Sequence, residues 1–287
     1  MISESIVKLL PKFTDKLGEK GRSPSTILAY RADLEQLNTY LAQKNKALAS
    51  QVTKADIEGF RDWLLSQKYT TKSTSRKLNA IKTFFRHLVS ENVMDSDPSH
   101  DVGHPKIDST NPQFLSPLEF RALRDVVRAD IRIAAIIEII LQTGIRISEV
   151  ANLKTADIDG LNLKIEKYAT QPQRIVPLND AAKVALDNYL KARPESNSEY
   201  IFVSKNGKPL AVRNIRDAID RYMQKAEVPQ YSVNDLRTTF VVENLKRGVD
   251  LVTLSQVAGH KRLSTTERYL ELAEIKEPGK KQKLEVL

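Results

Sequence analysis

Apolar residues recur at helical spacing from the start of the chain: Ile6, Leu9, Leu10, Phe13 and Leu17 follow one another at one- to four-residue steps among Lys and Glu, the stripe of an amphipathic helix. Three more stripes follow before about Asn92, so the pattern predicts four helices. Ser23-Pro24 reads as an N-cap followed by an N1 proline, opening a helix through Leu28, Leu34, Leu37 and Leu41. Thr53 begins another, with Ile57, Phe60 and Leu64 on its apolar face. A fourth runs from about Ser73, with Leu78, Ile81, Phe85 and Leu88 turned to a core. Its other side carries a polar stripe of Lys72, Arg76, Asn79, Thr83 and Arg86, flanked by Lys77 and Lys82, and no acid follows until Glu91.

Residues 95–113 break the pattern, because prolines, a glycine and short polar side chains oppose both helix and strand. This predicts an interdomain linker between an N-terminal helical domain (1–94) and a second domain (114–277), with a tail at 278–287. The second domain opens at Ser116-Pro117-Leu118-Glu119, a capping box with proline at N1, and helical segments continue to about Leu141. Thr143-Gly144 ends them, and Ser148 is expected to cap the next short helix. Residues 161–167 and 174–178 read as two strands around a turn at 169–173, and Tyr200-Ile201-Phe202-Val203 as a third. Helices are expected over about 181–191, 214–226 and 235–247, the last stopped by Gly248. Ser264-Thr265-Thr266-Glu267 reads as a capping box that starts a short helix at about Thr265 and carries Tyr269 into its second turn. The fold class is mainly α, in two domains, with a small antiparallel sheet in the second.

With 287 residues, 41% of them hydrophobic, the chain has enough apolar surface for a substantial core. Lys and Arg exceed Asp and Glu by 45 − 36 = 9, which suits a polyanionic partner. Cysteine is absent, excluding disulfides, thiolate metal sites and a Cys nucleophile, and this fits a cytoplasmic protein. The most apolar run, residues 133–141, is too short to span a membrane and contains Glu138, and no signal-peptide pattern precedes the first helix, so a soluble protein is expected. His100 and His104 lack companion ligands nearby, so no metal and no cofactor are expected.

The chemistry concentrates between Val233 and Leu272, where Arg237, His260 and Tyr269 combine a bidentate cation, an imidazole donor and a phenol able to act as nucleophile at a phosphate. Arg237 is expected in the first turn of its helix, where free N–H groups favour an anion. Upstream, Arg146 follows Thr143-Gly144-Ile145, with Glu149 placed to orient it. Taken singly, such a Tyr is a packing residue and such an Arg an ion-paired surface group. The ordered set is what points to phosphate chemistry.

That set resembles the tyrosine recombinase (phage integrase) family. T-G-I-R-I-S-E-V-A-N-L is similar to its first arginine box, D-L-R-T-T-F to its second, and G-H with Tyr269 after eight intervening residues to its histidine and nucleophile. The resemblance spans roughly residues 114–275, and the N-terminal part fits the family's SAM-like core-binding domain. It implies a site-specific DNA recombinase of the compact Xer-like or transposon-resolvase kind, without an arm-binding domain. Tyr269 would form a 3′-phosphotyrosyl bond, releasing a 5′-hydroxyl, with no need of ATP or a divalent metal. Arg146, Arg237 and His260 would hold the phosphate oxygens, and Lys167, with Arg174 as its competitor, would stand as the hairpin residue that protonates the leaving oxygen. Asn234 occupies the place of a family histidine; it can donate a hydrogen bond but cannot act as acid or base. The resemblance also favours a DNA-facing role for Lys72, Arg76, Lys77, Asn79, Lys82 and Arg86. Its partner would be double-stranded DNA with a specific target, bound by a homotetramer on paired sites and by a monomer or dimer otherwise, the C-terminal segment docking on a neighbouring protomer. The alternatives are an inactive DNA-binding regulator on this fold and a type IB topoisomerase-like relaxing enzyme.

Overall fold

The computed structural model describes residues 4–107, 112–167 and 172–274, in two compact units, Met1–Thr110 and Asn111–Leu287. Of the expected features, residues 169–171 of the turn at 169–173, the linker residues 108–111 and the tail at 278–287 lie outside the described residues.

The first unit contains α1 (Ile6–Glu19), α2 (Pro24–Ala42), α3 (Lys54–Ser66) and α4 (Thr71–Ser90), with a 3₁₀ turn at Ala49–Gln51. Local chemistry sets the starts. The Ser23 hydroxyl accepts from Thr26 N at 3.2 Å, and Thr53 with Asp56 forms a reciprocal box whose Thr53 N–H donates to Asp56 at 2.8 Å. α4 begins two residues before the sequence expectation because Thr70 caps it, its hydroxyl accepting from Ser73 N at 3.1 Å. The predicted apolar stripes close on one core in which Phe13 meets Phe84 edge-on at 5.3 Å. Leu28 departs from its stripe and is 67% exposed, while its neighbour Ile27 packs against the core.

Two findings correct the reading of this unit. The first part of the expected linker packs on this unit: Val102 is buried in the helical core, the Lys82 ammonium donates to His100 O at 3.0 Å, and His104 Nδ1 lies 2.9 Å from the Ser75 hydroxyl. Lys77, expected on the outward side of α4, is turned inward. Its ammonium bonds Asp33 of α2 at 2.8 Å and sits 5.2 Å above the Tyr69 ring, with only 10% of the side chain exposed. Arg76 grips the same carboxylate through both terminal nitrogens. The helix itself lacks an acid there, but α2 brings one.

The second unit contains α5 (Pro117–Val127), α6 (Ile131–Thr143), α7 (Ile147–Asn152), β1 (Ile158–Asp159), β2 (Asn162–Ile165), β3 (Arg174–Pro177), α8 (Asp180–Ala192), α9 (Val212–Lys225), α10 (Val233–Lys246), α11 (Leu251–Ala258) and α12 (Leu263–Glu267). α6 is apolar on nearly every side and is buried accordingly, packed against α8 and α10. The sheet runs β1-β2-β3, all antiparallel, with Leu163 opposite Val176 and Ile165 opposite Arg174. Its third strand is β1 and not Tyr200-Ile201-Phe202-Val203, in which only Tyr200 and Val203 make isolated bridges, to Lys154 and Pro209. That apolar run is buried for packing, with Phe202 stacked on Tyr189 at 5.0 Å.

Asp33→Ala would leave the inward Lys77 ammonium without its carboxylate, a loss of about 3–5 kcal/mol for a buried pair broken on one side. Denaturant unfolding of the full chain is expected to show the first unit melting at correspondingly lower denaturant. An unchanged midpoint would mean that Lys77 finds water instead.

Candidate active site

Gly144 ends α6 in the left-handed conformation (φ 63°), and a Cβ there would lie 2.2 Å from the Phe240 ring. The turn it makes delivers Arg146 to the N-cap of α7, a place the sequence reading gave to Ser148. The reason is Glu149: its carboxylate accepts from Arg146 N at 2.8 Å and so closes the box two residues ahead of Ser148. The Arg146 guanidinium returns to the same carboxylate at 3.0 Å and reaches Gly259 O at 2.6 Å.

Arg237 lies on α10, which opens at Val233, two residues earlier than expected, because Asp235 accepts from both Ser232 N and the Ser232 hydroxyl, at 2.7 and 2.8 Å. Arg237 therefore falls in the second turn, and the helix start expected to favour a phosphate already carries a capping carboxylate. Its guanidinium donates to Gly144 O. Asn234 is exposed in the first turn, its carbonyl accepting from Thr238.

α11 ends at Gly259, also left-handed (φ 69°), and His260 follows with its N–H on Ser255 O at 2.9 Å. His260 Nδ1 lies 2.7 Å from the hydroxyl of Thr266, which is fully buried. That bond occupies a side chain of the expected Ser264–Glu267 box. α12 begins at Leu263 instead and ends at Glu267. Tyr269 thus sits in the turn just beyond the helix, its N–H on Thr266 O at 3.0 Å, half-buried and with its ring 6.1 Å from that of His260 at an interplanar angle of 20°.

Lys167 is exposed, two residues past the end of β2, and lines a recess of about 190 Å³ together with Ser148, Glu149 and Lys154. Arg174, weighed in the sequence only as a competitor of Lys167, is 10% exposed and forks onto Glu149 at 2.8 and 2.7 Å. No local signal marks it, since its partners come from α7 and α11. In the other unit, Lys72, Arg76, Asn79 and Arg86 are exposed on α4 and Lys82 is half-buried, whereas Lys77 faces Asp33.

The charges explain the pKa pattern. Burial pushes Arg237 down to about 9, with the Arg146 charge adding to the effect. Burial also lowers His260 to about 4, helped by the charges of Arg237, Arg146 and Arg174, so its imidazole is neutral near pH 7. Burial alone would raise Glu149; the Arg174 hydrogen bonds and charge, with those of Arg146, reverse this and hold it below the usual carboxylate range. The arrangement is an anion cradle with a phenol beside it.

Comparison with known proteins gives the family. Residues 113–275 match the Phage integrase family and residues 10–92 match the Phage integrase, N-terminal SAM-like domain. The chain is 31% identical over 260 residues to Tyrosine recombinase XerC of Staphylococcus saprophyticus, covering 88% of each, and 31% identical over 284 residues to that of Myxococcus xanthus, covering 93% of this chain and 94% of the relative. Among solved structures, that of XerA recombinase shares 26% identity at a TM-score of 0.53, over 92% of this chain and 93% of the other. The Tn1549 transposon integrase in complex with transposon right end DNA shares the fold at a TM-score of 0.75 and 17% identity, over 92% and 94% of the two chains.

The depressed His260 pKa has a defined sign. Between its ordinary value of 6.5 and about 4 the unfolded chain binds the proton and the folded chain does not, so stability falls as pH drops through that window and is level above it. Imidazole titration followed by NMR should show His260 neutral down to about pH 4, and the stability advantage of the wild type over His260→Gln should shrink from pH 6.5 to pH 4. An ordinary imidazole titration at 6.5 would contradict the cradle's electrostatics.

Proposed function

The chain belongs to the phage integrase family, and as a tyrosine site-specific recombinase, cutting and rejoining DNA through a 3′-phosphotyrosyl intermediate, we propose that it uses Tyr269 as the nucleophile in a cradle of Arg146, Arg237 and His260. The observation carrying this assignment is the crossed anchoring of the motifs. Arg237 is tied to the carbonyl of Gly144, two residues before Arg146, and Arg146 to the carbonyl of Gly259, next to His260. Each guanidinium has five N–H donors, so further donors remain for phosphate oxygens after these bonds.

The Tyr269 oxygen attacks phosphorus, the bond to the 5′-oxygen breaks, and the energy of the phosphodiester is kept in the tyrosyl ester for religation. Negative charge grows on the non-bridging oxygens as phosphorus becomes five-coordinate. Preorganised cations in a site shielded from water stabilise that charge strongly. Neutral His260 acts in the tautomer that takes a hydrogen bond from Thr266 on Nδ1 and keeps its proton on Nε2, which gives it as a hydrogen bond to the phosphate. Asn234 adds a neutral donor. Lys167 supplies the proton for the departing 5′-oxygen, a role closed to Arg174, whose guanidinium stays protonated and is bound to Glu149.

Double-stranded DNA is the partner, and the exposed α4 residues Lys72, Arg76, Asn79 and Arg86, with Lys82, form the contact face of the first unit, where Arg and Asn read base edges and Lys neutralises phosphates. One solved relative is a lambda integrase tetramer bound to a Holliday junction, and the same assembly of four copies on paired sites is our reading for this chain, with the C-terminal segment linking neighbours. Its place of action is the compartment holding that DNA, which in a bacterium is the cytoplasm. The inactive-regulator and topoisomerase-like alternatives are not favoured by the named relatives.

Two experiments test the chemistry. Tyr269→Phe should bind DNA yet form no covalent adduct, and sequencing the DNA joined to wild-type protein would recover its target; an adduct on the Phe variant would move the nucleophile elsewhere. On the recovered target, Lys167→Ala should cleave slowly but regain rate when sulfur replaces the 5′-bridging oxygen, because a thiolate leaves without a proton, while Arg146→Ala and Arg237→Ala stay slow on both. Full activity of Lys167→Ala on ordinary DNA, or equal impairment on both substrates, would remove Lys167 as the acid.

A further inference from the structure

Arg174 makes three directed bonds in a nearly closed space. Its two terminal nitrogens fork onto the two Glu149 oxygens at 2.8 and 2.7 Å, and its Nε donates to Val257 O at 2.9 Å. It also packs on Gly259 so closely that a Cβ there would lie 2.7 Å from its Cζ. Glu149 is 4% exposed, and the second cation on it is Arg146, bound at 3.0 Å.

A carboxylate so buried needs a cation at all times, because an unpaired buried charge is strongly unfavourable. Arg146 is the residue asked to turn its donors to a phosphate. If it were the carboxylate's sole charged partner, every move toward DNA would strip a buried anion, and the arginine would be held in place. Arg174 removes that conflict. Its bond to Val257 O at the same time fixes the end of α11, from which Gly259 and His260 follow.

We propose that Arg174 is a positioning residue for DNA cleavage: it neutralises Glu149 permanently, freeing Arg146 for the scissile phosphate, and pins the end of α11 that presents His260. The proposal rests on the cleavage reading above. Unlike Lys167, Arg174 would act without transferring a proton or touching the reacting atoms.

The test is single-turnover cleavage of a nicked duplex carrying the target recovered from the covalent adduct, with DNA affinity measured in parallel. Arg174→Gln should lower the cleavage rate at saturating DNA roughly 10–100-fold, the range for partners that orient a functional group, while affinity changes little. The double variant Glu149→Gln/Arg174→Gln, which removes the buried charge along with its partner, should cleave faster than Arg174→Gln alone. A merely structural role predicts the opposite, since the double variant loses more bonds. Should Arg174→Gln fail to fold, Arg174→Lys keeps the charge without the fork and should give an intermediate cleavage rate at unchanged affinity. Wild-type rates in Arg174→Gln, or in Arg174→Lys where that variant is the one measured, would overturn the proposal, as would a double variant no faster than the single. A wild type that forms no adduct would instead undo the cleavage reading beneath it.

Discussion

The site depends on one buried carboxylate. Arg146 and Arg174 lie close enough to Arg237 to help lower its pKa, and Glu149 is the anion that both of them bind. Like charges brought together where water is scarce repel one another more strongly than in solution. The three cations outnumber that carboxylate, and their repulsion adds to the burial that lowers the pKa values of Arg237 and His260. On the proposed function, a DNA phosphate entering the cradle would offset that excess, and such a site favours charge building up on the phosphate over any neutral ligand.

Backbone geometry supplies the rest. Gly144 and Gly259 look at first like ordinary helix stops, each left-handed at the end of its helix. Each also offers its carbonyl to an arginine from the other motif, and each lies where a Cβ would strike a side chain, Phe240 in one case and Arg174 in the other. A single residue type thus meets a local requirement for positive φ and a long-range requirement for close approach. Segments far apart in the chain are joined through main-chain oxygens that side-chain substitution cannot remove.

What was legible in the sequence divides along the same line. The apolar stripes of α1, α3 and α4 and the caps at Ser23, Thr53 and Ser116 depend on neighbours within a few residues, and they read correctly. The misreadings arose where a side chain took a partner other than the expected one, distant in one case and nearby in two. Asp33 drew Lys77 off its helix face, His260 engaged Thr266 and left the Ser264–Glu267 box unmade, and Glu149 captured the start of α7 from Ser148. Arg174 is the extreme case, for it is an unremarkable strand residue until α7 and α11 close around it.

The proposed nucleophile is anchored differently from the proposed cradle. The arginines are seated by α7 and α10 and by bonds that cross between motifs, so displacing them means breaking several interactions together. Tyr269 follows a five-residue helix, and helices that short draw little stability from their own hydrogen bonds, so its place depends on packing and on bonds around the turn. Its N–H donates to Thr266 O, its carbonyl accepts from Ala273 N, and Leu270 and Leu272 pack with it on the cluster of Phe240 and Leu254. Thr266 links this turn to the imidazole, because it is fully buried and touches His260 through its hydroxyl while its carbonyl holds Tyr269. One buried side chain therefore couples the position of the phenol to the orientation of the histidine.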